Sequence, residues 1–246
     1  MKIAIRITLL CLIFSGTLLS LCSCTDKTDH EAMGDDYASY GMLEKATEEY
    51  TIALERNPEN TEIYFKRGAI YRILGLNEQA INDFTSIIDL DPDIAEAYNE
   101  RAITYANIGE IQAAFADFDK AIEIDPGMAS AYSNRGALYI NLEQYDLAIA
   151  DLSRAIDLNP LNANAYNNRG QAYFMVEYYE SAIIDFTMAI TLDPNMALAY
   201  LNRGWVHYRK SKTELARADF EKVLELSDDP YLLDSAKEGL QKIDEQ

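Results

Sequence analysis

The feature that most constrains this chain is a period of 34 residues that runs through most of its length. Five of the six prolines share one register: Pro58, Pro92, Pro126, Pro160 and Pro194. An alanine recurs with the same period: Ala46, Ala80, Ala114, Ala148, Ala182 and Ala216. A large apolar residue does the same: Tyr50, Phe84, Phe118, Leu152, Phe186 and Phe220. A period of this length indicates stacked units, because one unit alone cannot bury its apolar face.

Each unit has the pattern of two helices joined by a tight bend. In the unit 129–162, one stripe with helical spacing comprises Tyr132, Arg135, Gly136 and Tyr139. A second stripe comprises Ala148, Leu152, Ala155 and Ile156. The bend falls at Glu143-Gln144, and two other units have Gly75 and Gly109 there, which suit the left-handed conformation that ends a helix. The prolines disfavour helix in the residue before them, so each unit is predicted as helix, turn, helix and stop.

This pattern resembles the tetratricopeptide repeat, a helix–turn–helix unit of 34 residues. The resemblance covers six units: 27–60, 61–94, 95–128, 129–162, 163–196 and 197–230. It implies an all-α fold, a right-handed superhelical solenoid of antiparallel helix pairs, with the six repeats spanning 31–230. The end units depart from the pattern, since His30 and His207 stand where other units have Tyr. Residues 231–246 carry an apolar helical stripe and are predicted to form a capping helix.

The N-terminal segment has the pattern of an export signal. Lys2 and Arg6 precede an apolar run over 7–21, which is short for a membrane helix of about 20 residues. The run ends in Leu21-Cys22-Ser23-Cys24, which resembles the bacterial lipoprotein box, although Cys22 departs from the commoner Ala or Ser. The resemblance implies a signal peptide over 1–23, lipidation of Cys24 and a short tether over 24–30. The alternative is an uncleaved N-terminal anchor helix.

Composition and motifs disfavour several classes of function. The formal net charge is −20, so nucleic acid is excluded as an expected partner, and membrane contact is expected through the lipid anchor only. All three cysteines, Cys11, Cys22 and Cys24, lie in the N-terminal segment, which leaves the repeats without a thiol nucleophile. No H-E-x-x-H, G-x-G-x-x-G or phosphate-loop pattern occurs. We therefore expect no catalytic residue, no metal site, no cofactor and no enzymatic activity.

An arginine and an aspartate also recur with the 34-residue period. The arginines are Arg67, Arg101, Arg135, Arg169 and Arg203. The aspartates are Asp83, Asp117, Asp151, Asp185 and Asp219. Because a buried Arg needs a partner, the pattern predicts Arg–Asp pairs inside a unit or between neighbouring units. The alternative is that the aspartates lie on exposed helix surface.

The family resemblance implies that the first helices of the units line a concave groove that binds a partner. The candidate groove residues are Asn99, Asn134, Asn167, Asn168, Gln171, Phe174, Asn202, Trp205 and Tyr208, with Arg209 at a further groove position. Asn134, Asn168 and Asn202 recur as a ladder whose amides can pair with peptide N–H and C=O groups. The three aromatic residues would be apolar anchors. The alternative is that Asn-Arg-Gly is a common first-helix sequence with no binding role.

These features predict a protein–protein interaction scaffold or adaptor. It would be tethered by lipid to a bacterial envelope membrane, expected to be the outer membrane with the protein facing the periplasm, and would hold an extended peptide or helix of a protein partner in the groove. A second possibility is a permanent structural subunit of an outer-membrane or pilus assembly complex, which would need a large apolar convex patch. An enzyme with an unrecognised site is the third, and would need a deep polar pocket.

Overall fold

The computed structural model describes residues 28–245, and within that range the chain forms thirteen α-helices and no strand. The helices are α1 His30–Ser39, α2 Leu43–Arg56, α3 Thr61–Ile73, α4 Asn77–Leu90, α5 Ala95–Asn107, α6 Ile111–Ile124, α7 Ala129–Asn141, α8 Tyr145–Leu158, α9 Ala163–Met175, α10 Tyr179–Leu192, α11 Ala197–Arg209, α12 Thr213–Leu226 and α13 Pro230–Asp244. The predicted signal peptide 1–23 and Cys24 lie outside the described residues.

The helices pack in the order in which they occur in the chain. Each odd-numbered helix from α1 to α11 packs on the even-numbered helix that follows it, and each even-numbered helix packs on the next odd-numbered one. The last helix, α13, packs on both α12 and α11. The predicted fold class is confirmed, since the chain is an all-α solenoid of helical repeats.

The core of each repeat is a large side chain that faces a small residue. Phe186 on α10 is fully buried, and a Cβ added to Gly170 on α9 would lie 2.8 Å from its ring. Gly136 and Gly204 stand in the same relation to Leu152 and Phe220. The small residue therefore lets the two helices of a repeat approach closely over a bulky partner.

The bend inside each repeat uses a left-handed backbone residue. Three bends have glycines, Gly41, Gly75 and Gly109, with φ between 71° and 82°. The other three have Glu143, Glu177 and Ser211, with φ between 55° and 63°. The prediction of this conformation for Gly75 and Gly109 is confirmed. The same conformation at the three non-glycine bends follows from the hydrogen bonds that end the helix, such as Gln144 N–H to the Tyr139 carbonyl at 2.9 Å.

Replacing Glu143 with glycine is expected to stabilise the protein by about 1 kcal/mol, because a left-handed residue with a Cβ costs roughly that much. Urea unfolding followed by far-UV circular dichroism measures the change. The reciprocal control is Gly109→Ala, whose added Cβ would meet no atom within 4 Å, so that its expected loss is purely conformational. A loss of stability in Glu143→Gly would contradict the prediction.

The predicted Arg–Asp pairs form, and each lies within one repeat. Every arginine donates from Nε and Nη2 to both oxygens of its aspartate, at 2.7 or 2.9 Å: Arg67 to Asp83, Arg101 to Asp117, Arg135 to Asp151, Arg169 to Asp185 and Arg203 to Asp219. The five aspartates are 2% to 8% exposed, so the alternative of exposed helix surface is wrong. This fork geometry makes the pairs specific as well as strong.

The same arginines also join neighbouring repeats. The remaining Nη1 group of each donates to a side chain on the second helix of the preceding repeat: Thr51, Thr85, Asp119, Ser153 and Thr187 in chain order. Each guanidinium also lies over one or two tyrosine rings, 5.6 to 5.9 Å from the ring centroid. The arginine therefore contributes to stacking between repeats as well as to its own repeat.

His207 occupies the position at which other repeats have a tyrosine next to the arginine. It is 7% exposed, and its Nε2 lies 3.9 Å from an Asp219 oxygen. Burial lowers the pKa of His207 despite the attraction of Asp219, and Arg203, Lys212 and Lys210 lower it further. The neutral imidazole is therefore the form that packs in this repeat.

His207→Tyr is expected to reduce the loss of stability on acidification. In the unfolded chain a histidine takes up a proton near pH 6.5, whereas folded His207 does so only at lower pH. The contribution of neutral His207 to the free energy of unfolding is therefore present above pH 6.5 and is lost as the pH falls towards the lowered pKa. Thermal melts of both proteins at pH 7.5 and pH 5 measure the difference, and an equal fall in Tm for both would contradict the prediction.

Candidate functional site

The candidate groove residues lie on successive first helices that contact one another. Asn99 is on α5, Asn134 on α7, the candidates between 167 and 174 on α9, and those between 202 and 208 on α11. Contacts join α5 to α7, α7 to α9, and α9 to α11. The solenoid therefore brings residues that are one repeat apart in sequence onto adjacent helices of one surface.

The asparagines form two pairs instead of one ladder of three. Asn134 Nδ2 donates to Asn99 Oδ1 at 3.1 Å, and Asn202 Nδ2 donates to Asn167 Oδ1 at 3.1 Å. Asn167 Nδ2 in turn donates to Asn168 Oδ1 at 3.4 Å. These amide pairs therefore link α5 to α7 and α9 to α11 within the protein itself.

Two of the predicted groove asparagines are too deeply buried to contact a partner directly. Asn99 is 3% exposed and Asn167 is 2% exposed, because each lies beneath the asparagine of the following repeat. This corrects the expectation that both are partner-facing. Asn134, Asn168 and Asn202 are partly exposed and remain accessible.

The three predicted aromatic anchors lie together in one cavity of about 570 Å³, which we call the terminal cavity. Its lining comprises Phe174, Trp205, Tyr208, Arg209, Lys242 and Glu245. The Trp205 ring is held edge-on to Phe220 and Tyr208, at centroid distances of 5.1 and 5.8 Å. Lys242 and Glu245 could not be predicted as site residues, because α13 lies outside the 34-residue repeat.

Helix α13 also positions the tryptophan of the terminal cavity. Trp205 Nε1 donates to Ser235 Oγ at 3.1 Å, and Lys242 Nζ lies 5.4 Å from the centre of the Trp205 ring. Lys242 is itself paired with Glu238 at 2.6 Å. The capping helix is therefore one wall of the candidate site as well as a cover for the last repeat.

A smaller hollow of about 170 Å³ lies between α5 and α7. Its lining includes Ile103, Asn107, Asn134, Ala137 and Asn141. Gln171 is half-buried on α9 and, like Asn168, lines neither this hollow nor the terminal cavity. Asn134 is therefore placed at the edge of a concave site.

The charges on the first helices near the other end of the chain are balanced by carboxylates. Lys66 lies 3.0 to 3.1 Å from oxygens of Glu31, Asp35 and Glu62. Arg72 pairs with Glu100 at 3.1 Å, and burial raises the pKa of Glu100 although Arg72 opposes this. Three carboxylates around one ammonium make this end of the row of first helices acidic.

Models of the tetratricopeptide repeat match most of the helical region. Those described as "Tetratricopeptide repeat" match 61–94, 95–128, 118–150, 163–196 and 197–230. One described as "TPR repeat" matches 138–176. The chain belongs to the tetratricopeptide repeat family. This tetratricopeptide repeat protein has no match among curated protein sequences.

Several solved structures have the same fold. A tetratricopeptide repeat protein from Parabacteroides merdae has 25% identity and a TM-score of 0.69, covering 86% of this chain and 83% of that one. YrrB, a TPR protein with an unusual peptide-binding site, has 25% identity and a TM-score of 0.58, covering 77% of this chain and 97% of that one. The APC/C hetero-tetramer Cut9-Hcn1 has 20% identity and a TM-score of 0.75, covering 86% of this chain. This chain spans 42% of the length of that last protein.

The tetratricopeptide repeat fold supports a protein–protein interaction scaffold, and this fold is typically non-catalytic. Within residues 28–245 no helix has the length and apolar character needed to span a membrane. The same residues contain no group of three or more His, Cys, Asp or Glu side chains placed to hold a metal ion.

Proposed function

We propose that this protein is an adaptor that holds an extended peptide segment of a partner protein along its first helices. The observation that carries the proposal is the terminal cavity, where Phe174 from α9 converges with Trp205 and Tyr208 from α11 and α13 adds a third wall. A cavity of about 570 Å³ falls within the range of roughly 300 to 1,000 Å³ that accommodates specific ligands. Clustered aromatic side chains are typical binding anchors.

The accessible asparagines supply the polar contacts that an extended peptide needs. A primary amide offers two N–H donors and a carbonyl oxygen with two lone pairs. Asn134 and Asn202 each use one donor on the neighbouring repeat, which leaves a donor and the carbonyl oxygen of each for a peptide backbone. Because these amides are fixed by the pairs beneath them, little side-chain entropy would be lost on binding.

The structural similarity to YrrB supports a peptide as the ligand class. YrrB is a TPR protein with an unusual peptide-binding site, and this chain covers 97% of its length at 25% identity. We extend to this protein only the general class of ligand.

We further propose that Cys24 carries acyl chains that tether the protein to a bacterial envelope membrane, the outer membrane with the repeats facing the periplasm. The lipoprotein-like box Leu21-Cys22-Ser23-Cys24 supports this part of the proposal. Two or more acyl chains hold a protein stably on a membrane, since each buried CH₂ contributes about 0.8 kcal/mol.

A permanent structural subunit of an outer-membrane or pilus assembly complex is the second candidate function. It is favoured by apolar side chains exposed on second helices, namely Ile184, Leu215 and Leu147, which are 67%, 51% and 49% exposed. A permanent interface would cover such residues, whereas a transient adaptor would use the first helices.

Selection of peptides from a display library tests the adaptor function. The purified full-length protein in detergent is compared with a groove variant, Phe174→Ala with Tyr208→Ala, and with a control on second helix α10, Ile184→Ala with Met188→Ala. Both control side chains are exposed. Peptides bound by the wild type should be lost on the groove variant and kept on the control, with folding checked by circular dichroism. Retention on the folded groove variant, with loss on the control, would favour the structural subunit.

Lipidation is tested separately with Cys24→Ser in a bacterial host. The wild type should incorporate labelled palmitate and sediment with membranes. The variant should lose the label and accumulate as an unprocessed precursor. Normal processing of the variant would refute lipidation, whereas a wild type that lacks the label and keeps its N-terminal segment would favour the uncleaved anchor helix.

A further inference from the structure

We infer that the terminal cavity selects a peptide in which an acidic side chain stands next to an aromatic or large aliphatic one. This inference rests on the proposed function and adds the chemistry of the ligand. The groups that carry it are Arg209 and the aromatic wall beside it.

Arg209 is the exception among the cations of the first helices. The other cations each have a carboxylate partner: Lys66 with Glu31, Asp35 and Glu62, Arg72 with Glu100, and the five periodic arginines with their aspartates. Arg209 is exposed and forms no ion pair with any carboxylate in residues 28–245. A guanidinium with five N–H donors therefore stands at the terminal cavity with its charge available.

The repeat does not require a charged residue at the position of Arg209. The residues in phase with it are Ile73, Asn107, Asn141 and Met175. A cation at the end of a helix is favoured by the helix dipole, but the adjacent Lys210 already supplies one and is paired with Glu180. The charge of Arg209 is therefore not required for folding of the repeat.

Arg209 and Phe174 line the terminal cavity and also an adjoining hollow of about 130 Å³. The guanidinium thus lies between two concave sites that share an aromatic wall. An apolar side chain of the ligand can enter beside Trp205 and Tyr208 while a neighbouring carboxylate reaches Arg209. Such a contact is a charge-assisted hydrogen bond, and a planar guanidinium matches a carboxylate in two-point geometry.

The second cation of the cavity, Lys242, does not change this assignment. Its ammonium is paired with Glu238 at 2.6 Å and lies over the Trp205 ring, and Glu245 lines the same cavity. The charge of Lys242 is therefore balanced by Glu238 within α13, and Arg209 is the cation of this cavity that forms no ion pair among the described residues.

The net charge of −20 restricts where an acidic side chain can bind. Near the other end, Glu31, Asp35 and Glu62 surround Lys66, so that a ligand carboxylate would meet like charge. Two carboxylates line the concave sites at Arg209, Glu245 in the terminal cavity and Glu177 in the adjoining hollow, but neither forms an ion pair with its guanidinium, so a ligand carboxylate can contact Arg209 directly. Because Arg209 is exposed at the rim, a carboxylate bound to it stays in contact with water. The peptide chain can continue past this point, so the carboxylate can belong to an internal Asp or Glu.

The test uses the full-length protein in detergent and Trp205 fluorescence, since Trp205 is the single tryptophan of the chain. The probes are acetylated and amidated peptides that differ at one position beside a phenylalanine: Ser-Glu-Phe-Ser, Ser-Gln-Phe-Ser and Ser-Lys-Phe-Ser. The Glu peptide should bind about fivefold more tightly than the Gln peptide, as expected for one partly exposed ion pair, and the Lys peptide should bind most weakly.

Substitutions at Arg209 test whether this residue causes the preference for the Glu peptide over the Gln peptide. Arg209→Met should make the Glu and Gln peptides bind equally, with the affinity for the Gln peptide unchanged, and Arg209→Glu should reverse the preference in favour of the Lys peptide. The matched control is Arg154→Glu, because Arg154 is also exposed and lacks an ion pair among the described residues but lies on second helix α8. This control should keep the preference of the wild type.

The outcomes separate the inference from the proposed function. Equal binding of all three peptides to the wild type would overturn the inference and leave peptide binding intact. Preference for a peptide with a free C-terminus over the amidated Glu peptide would also overturn it, since the cavity would then recognise a chain end. If none of the peptides changes Trp205 fluorescence and the display selection also fails, both the inference and the proposed function fall.

Discussion

Replacing Arg169 with methionine is expected to lower the free energy of unfolding by about 3 to 5 kcal/mol, the largest effect we predict for one side chain. Asp185 is 2% exposed and accepts hydrogen bonds from Arg169 at 2.7 and 2.9 Å. The substitution leaves this carboxylate buried without a cation. It also removes the bond to Ser153, which links the repeat to the preceding one.

The double variant Arg169→Met with Asp185→Leu should lose much less stability than the single variant, because two apolar side chains can replace a buried ion pair at little net cost. Urea unfolding followed by circular dichroism compares the two proteins. Arg154→Met is the control, since Arg154 is exposed and makes no ion pair within residues 28–245, and it should change stability by under about 0.5 kcal/mol. Equal losses in the single and double variants would show that the pair is not the source of the effect.

The second large effect is expected from Gly239→Leu on α13. A Cβ at residue 239 would lie 2.4 and 2.5 Å from two atoms of the Phe220 ring. That ring cannot retreat, because it is fully buried and a Cβ on Gly204 would already lie 2.8 Å from it. The substitution should therefore displace α13 from the last repeat, at a cost of about 3 kcal/mol.

Trp205 reports the displacement of α13 directly. Its indole N–H would lose Ser235 and its ring would gain contact with water, so its emission should shift to longer wavelength. Lys237→Leu is the control, because residue 237 is exposed on the same helix and its ion-pair partner, Asp234, does not line the terminal cavity. An unshifted emission maximum with unchanged Tm in Gly239→Leu would contradict the packing described for α13.

The two effects differ in what they should do to peptide binding. Loss of the Arg169–Asp185 pair acts on the stacking of repeats, whereas displacement of α13 removes Lys242 and Glu245 from the terminal cavity. We therefore expect Gly239→Leu to weaken binding at temperatures where the protein remains helical. This connects the capping helix to the proposed function as well as to stability.

The sequence alone predicted the repeat, its two helices and the residue types that pair inside it. These features could be predicted because the same interaction is repeated at a constant spacing of 34 residues, so that Arg67 with Asp83 and Arg203 with Asp219 are copies of one local arrangement. The aromatic anchors Phe174, Trp205 and Tyr208 were also predicted, since family resemblance places those positions on one face of the first helices. Their meeting in a single cavity depended on the structure.

Features that break the period required the tertiary structure. The left-handed backbone at Glu143 depends on how α7 ends, and the two asparagine pairs depend on how one first helix lies against the next. Neither can be predicted from residue type. Helix α13 closes the terminal cavity from outside the repeat, and which carboxylates the fold brings near Arg209 decides that it forms no ion pair within residues 28–245. The 34-residue period is enough to specify the stacked helical architecture, because every unit must bury the same apolar stripe. Which surface remains free to bind depends on the packed structure, because it is set by distances between side chains that are not related by the repeat.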